Sequence, residues 1–251
     1  MKIQSLVLFV LISMNNAFAQ SSQVKVNSNI RKVQSNKLTS DDFKKVYLYF
    51  QDLGFLKLPA NYDRQLRYYM VKNNLTRVNP YPYFLVNNGQ IPFYVNVNKK
   101  DKKKNDKETS ARLFDETNGD YVLGVVQAIS GDHISMKEWL VTFSFSGKVI
   151  ASIPIREMVV HGAYTTEAVI NQDFTVDVYC IDFPGNDYIV KDHKPLDNLK
   201  GQRIDTKYQI TPEGKFEKLS EVHYQPQIYT PAMLLDKTTN IRNRNERRLN
   251  K

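Results

Sequence analysis

The sequence predicts a mainly β protein of the α+β class: an antiparallel β-meander, curved into two layers or shaped like part of a propeller, with an N-terminal helical segment. Three observations carry this. From about position 80 the hydrophobicity repeats every second residue, in short runs divided by turn residues such as Asn118-Gly119, Ser146-Gly147 and Pro212-Glu213-Gly214. Ahead of it lies the clearest stretch with helical period, ending at Gly54. No helices alternate with the strands, so a doubly wound parallel fold is excluded.

The chain of 251 residues is 41% apolar and 24% charged, too apolar for disorder and short enough for one globular unit. It opens with Lys2, an apolar run from Leu6 to Ile12, and Ala17-Phe18-Ala19 before Gln20. One basic residue, an apolar run too short to span a bilayer and an A-x-A site constitute a secretory signal with cleavage after Ala19. The released form is expected to be soluble and periplasmic or extracellular. No cysteine stands at the cut to take a lipid anchor, and no later stretch reaches the length of a membrane-spanning helix. Cys180, the single cysteine, alternates with Phe174, Val176 and Val178, the pattern of a small apolar residue inside a strand rather than a nucleophile.

The expected organisation is a signal peptide over 1–19, a flexible polar lead-in over 20–38, and a helical segment packed on the sheet over 39–78. An antiparallel β domain over 79–225 follows, then a short helix and basic tail over 226–251. Thr39 or Ser40 can cap the first helix, Asp41 and Asp42 favour its positive end, and Phe43, Val46, Tyr47, Phe50 and Leu53 form one face. A second helix is expected from Tyr62 to Lys72 with Asn61 as cap. Its interleaved Arg64, Arg67, Tyr68 and Lys72, continuing to Arg77, Tyr81 and Tyr83, could stack on bases, but half of the aromatics are needed for its apolar face. Hairpins are expected about Asn87-Asn88-Gly89, Asn118-Gly119, Ser146-Gly147, Asn171-Gln172 and Thr211-Pro212-Glu213-Gly214. Val149, Ala151, Ile153 and Ile155 are expected to share one face, and Thr230-Pro231 to open a short helix.

Net charge is +9, and +8 once the signal is removed. Two segments account for it. Residues 99–107 hold Lys99, Lys100, Lys102, Lys103, Lys104 and Lys107 against Asp101 and Asp106; residues 242–251 hold Arg242, Arg244, Arg247, Arg248 and Lys251 against Glu246. Charge concentrated in a loop and a tail reads first as solvated, mobile chain, and second as adhesion to an anionic surface: lipid headgroups, acidic polysaccharide or another envelope protein. A nucleic-acid partner is disfavoured, because such a surface spreads its cations over a folded face with bases stacked on aromatics.

Nucleotide-binding, phosphate-loop, zinc-protease and nucleophile-elbow motifs are absent, and no metal or cofactor is implied. Asp132 and His133 are expected at a turn and His161 at the end of a strand beside Gly162, and these three are the only group from which a hydrolytic centre could be assembled in space. Asp173 and Asp177 would face one side of a strand about 13 Å apart at about 3.3 Å per residue, too far for a pair of glycosidase acids. The reading is therefore an exported, non-catalytic binding or structural module, with a small extracytoplasmic hydrolase as the alternative.

Overall fold

The computed structural model describes residues 30–62, 108–129, 136–159, 163–184, 198–236 and 238–249. The second expected helix beyond Tyr62, the hairpin about Asn87-Asn88-Gly89 and the lysine segment lie outside the described residues, as do Asp132, His133, His161 and His193.

The described chain is mainly antiparallel β with few short helices, and its sheet is open. The strands are β1 (Arg31–Lys32), β2 (Ala60–Tyr62), β3 (Glu108–Leu113), β4 (Glu116–Thr117), β5 (Val122–Ile129), β6 (Met136–Phe143) and β7 (Val149–Val159). They continue with β8 (Ala163–Ile170), β9 (Thr175–Asp182), β10 (Leu199–Ile210), β11 (Phe216–His223) and β12 (Gln227–Tyr229). The main sheet runs β11-β10-β9-β8-β7-β6-β5-β3, the order expected when tight turns join neighbours. β2 adds to β8 and β12 adds to β10.

The sheet parts in the middle. β7 pairs with β6 from Val149 to Met158 but with β8 only from Glu157 to Val159. Pro154, which has no N–H to give, pairs with Trp139 of β6 in the stretch of β7 that has no β8 partner. Below the parting, β2 takes the free edge of β8, pairing Tyr62 with Ala168 and Ala60 with Ile170. Leu123, Leu140, Ile153 and Ile155 from one half and Ile170, Val176, Val178 and Ile210 from the other meet in one apolar cluster.

Helix α1 (Asp41–Leu53) is capped by Ser40, whose hydroxyl accepts from the Phe43 N–H at 3.3 Å, and Gly54, with φ 98°, ends it. Its Phe43, Val46 and Tyr47 bury against Leu113, Val126, Trp139, Val141 and Phe143. Asn61 and Tyr62 are strand rather than the start of a second helix, because the edge that β7 leaves on β8 offers their backbone a ladder. Residues 30–38 are docked rather than loose: β1 pairs with β4, the Val33 N–H donates to Asp115 O, and Val33 and Leu38 are buried.

Two expectations about faces and turns are corrected. Val149 belongs to the α1 cluster, whereas Ile153 and Ile155 point to the cluster between the halves, because register shifts between β6 and β7 break the alternation. Asn118-Gly119 is not a tight hairpin turn. The Asn118 amide donates to Ile210 O at 2.9 Å and the Asp120 N–H to Pro212 O at 3.2 Å, so this loop grips the far hairpin instead.

Candidate functional site

The best-built polar assembly lies where the C-terminal segment crosses the outer side of β8, β9 and β10. Helix α2 (Pro231–Leu235) starts at Thr230, whose hydroxyl accepts from the Met233 N–H, with Pro231 just inside. Leu234 and Ile241 then bury beside Ala163, Ile181 and Tyr229. Beyond that anchor the fastening is polar. The Ile241 N–H donates to the buried Glu167 carboxylate at 2.7 Å.

Arg203, on β10 and only 3% exposed, organises the rest. Its Nε and Nη2 form a fork on Asp205, each at 2.7 Å, while Nη1 donates to Arg244 O at 3.1 Å and Nη2 to Arg242 O at 3.3 Å. The guanidinium lies 4.4 Å from the Tyr224 ring centroid and 5.9 Å from that of Tyr179. Carboxylate partners hold Arg203 above its ordinary pKa in spite of burial. The Tyr224 hydroxyl donates to Asp205, and Glu246 accepts from both Gln227 and the Tyr229 hydroxyl. The chain then runs antiparallel to the end of β11: the Gln225 N–H donates to Arg247 O and the Leu249 N–H to His223 O.

The basic tail expected as loose chain is therefore ordered from 238 to 249, because its carbonyls and amides find fixed partners on the sheet. Its arginines divide. The Arg244 guanidinium donates to Met233 O and lies against the Tyr229 ring. Arg247 and Arg248 are exposed, Arg242 and Arg244 half-buried.

Lys99, Lys100, Lys102, Lys103, Lys104 and Lys107 lie outside the described residues, but the segment they belong to joins the sheet at Glu108. Following the register from β3 to β11, Thr109 is opposite Ala128, then Lys137, Glu157, Thr166, Cys180, Ile204 and His223. The strand ends that flank Asp132 and His133 are Ile129 and Met136; those that flank His161 are Val159 and Ala163. All of them border the same end of the sheet.

Sequence reasoning missed a buried ion pair near that end. Glu138 and Arg156 are opposite on β6 and β7 and both are buried. Nη2 and Nε of Arg156 lie 2.8 and 2.7 Å from the two carboxylate oxygens, and the Gln127 amide donates to Glu138 at 2.6 Å. The only available signal was a charge of each sign inside otherwise apolar strands.

The other reactive types are absorbed into structure. The Cys180 thiol is pushed up to about 11 by burial, so it remains protonated at neutral pH, with the Thr166 hydroxyl 3.5 Å away. Asp173 caps its own turn by accepting from the Thr175 N–H and hydroxyl, and Asp177 accepts from the Asn171 amide. Asp115 accepts from the Tyr47 hydroxyl and pairs with Lys32, while Glu116 accepts from the Leu58 N–H. His223 meets Glu221 at 2.9 Å, and Glu221, which also pairs with Lys218, is drawn down to about 2. Among the described residues no group of three or more His, Cys, Asp or Glu is placed to hold a metal, and no helix is long and apolar enough to cross a membrane. Comparison with protein-family models, with curated proteins and with solved structures finds no match to this chain.

Proposed function

We propose that the chain is an exported, non-catalytic binding or structural module of the cell envelope or extracellular space, which holds anionic surfaces or polymers through its two basic segments. In this reading it is released after Ala19 without a lipid anchor and works in the periplasm or outside the cell. The scaffold is a curved two-layer sheet, with the N-terminal helical segment on one outer side and the C-terminal segment on the other. The apolar cluster shared by β5–β7 and β8–β10 supports two layers.

One observation carries the functional reading. Thr109 and His223 fall on the same register row, so the lysine segment and the arginine tail leave the sheet at one end, where Arg247 and Arg248 are exposed. Each segment contributes a net charge of +4. An anionic surface meeting that end can contact both, with phospholipid headgroups and acidic polysaccharide as the fitting partners.

The test is retention on phosphatidylglycerol vesicles at two ionic strengths. The intact protein is expected to bind at about 0.05 M salt and to be released near 0.5 M, where the screening length falls well below 10 Å. Replacing the six lysines, Arg247 and Arg248 by Gln should abolish retention; unchanged retention overturns the reading. Substitution is the appropriate change because deleting the tail would also remove the contacts of Arg244, Glu246 and Leu249.

The hydrolase alternative is favoured by one observation, the placing of the strand ends around Asp132, His133 and His161 at a common end of the sheet. It requires hydrolysis of an ester, amide or phosphate substrate that His133→Ala and His161→Ala each abolish.

A further inference from the structure

Two guanidiniums that fasten the tail, those of Arg203 and Arg244, serve two purposes that compete. Docked, Arg244 donates to Met233 O and lies against the Tyr229 ring, and Arg203 donates to the carbonyls of Arg242 and Arg244. Their charge is then spent within the fold. Apart from Asn240 and Ile241, no residue from 238 to 249 is fully buried, so this segment is held chiefly by hydrogen bonds and ion pairs. A unit with few apolar contacts opens at lower free energy than the core beneath it. The Asp236 carboxylate accepts from the Thr238 N–H and hydroxyl, and Thr238 is exposed.

We infer that the segment from Thr238 to Leu249 is a detachable strap, and that a polyanion binding this protein draws it off β8–β10, because the arginines that hold the strap are those the polyanion takes. The inference rests on the anionic-binding reading above and deepens it. Guanidinium forks match phosphate oxygens in two-point geometry, so phosphate-bearing chains are the ligand class with most to gain. A ligand that binds the open form better than the closed one must shift the population toward open. Release also uncovers Arg203, Tyr179 and the site filled by Ile241.

Hydrogen exchange on the full-length protein, read with and without inorganic polyphosphate as probe, tests this. The amides to follow are those of Ile241 and Leu249, bonded to Glu167 and His223, against those of the β8–β9 ladder. Expected on probe binding is a tenfold or greater rise in exchange over 238–249 with β8–β9 unchanged. Arg203→Lys, which loses the carbonyl and carboxylate forks, should loosen the strap without probe and tighten polyphosphate binding several-fold. Bound probe with tail protection kept or increased overturns the strap while leaving the binding reading intact. Absence of probe binding at low salt, seen separately by fluorescence anisotropy, overturns the binding reading and the strap with it.

Discussion

Phe174 shows how a single residue can hide from sequence reasoning. Three hairpin turns share one construction, over 144–148, 171–175 and 211–215. In each, the fourth residue donates its N–H to the carbonyl of the first, and the first donates to the carbonyl of the fifth. The fourth residue is Gly147 with φ 78°, Gly214 with φ 79° and Phe174 with φ 60°. Glycine takes that left-handed conformation freely, and the two glycine turns were readable; phenylalanine holds it at a cost of about 1–2 kcal/mol because its fully buried ring more than offsets the strain. Phe174→Ala should lose about 3–5 kcal/mol in urea unfolding, and Phe174→Gly about 1 kcal/mol less than Ala, since Gly loses the ring but also the strain. Equal losses would mean that the backbone there is unstrained. The Glu138–Arg156 pair makes a second prediction at this scale. Glu138→Gln leaves a buried guanidinium uncompensated and should cost about 3–5 kcal/mol, whereas Glu138→Leu with Arg156→Met should fall within about 1–2 kcal/mol of the parent. A double variant as damaged as the single one would show that the pair is needed for more than charge balance.

Elements were legible where their period was undisturbed. β5, β6 and β8–β11 follow from the apolar spacing and turn residues, and the Thr230 cap from side-chain chemistry. β7 was legible as a strand but not in its faces, since a one-residue shift against β6 reverses the alternation. Docking of the N-terminal 30–38 stretch and of the tail could not be read, because both are held by long-range hydrogen bonds that leave no local period. The loop after β4 is another such case. A Cβ on Gly119 would lie 1.9 Å from Pro212 O, so only glycine lets the loop against the 211–215 turn, where the Thr142 hydroxyl also donates to Gly214 O at 2.5 Å. Gly119→Ala should push that turn away and destabilise by about 2–3 kcal/mol. Gly54→Ala, at positive φ but with nothing near its Cβ, should cost only about 1 kcal/mol. Thermal melts of the two variants compare them directly; equal shifts would remove the grip from the account of how the halves are held together.

At the scale of the whole molecule, the two charge segments stand out in composition, but that the strands they adjoin, β3 and β11, end on one register row needs the register across all the strands between them. That shared row predicts how the segments should combine. A Lys or Arg near an anionic bilayer contributes about 1 kcal/mol, so a segment of net charge +4 alone binds weakly. In the proposed reading, two segments leaving one end of the sheet act on one surface together, the second binding at an effective concentration set by the first, which can raise avidity by about 10² to 10⁴. Neutralising the six lysines alone, or Arg247 and Arg248 alone, should then each lower vesicle affinity by far more than half. The residual affinity of either variant should show a shallower dependence on salt than the intact protein, because fewer ion pairs are screened. Segments bound to separate surfaces would instead each lose only their own share, and the affinity left in the two variants would account for that of the parent. Titrating both variants against phosphatidylglycerol vesicles at several salt concentrations separates the two outcomes, and additive losses would remove the shared end as the basis of binding.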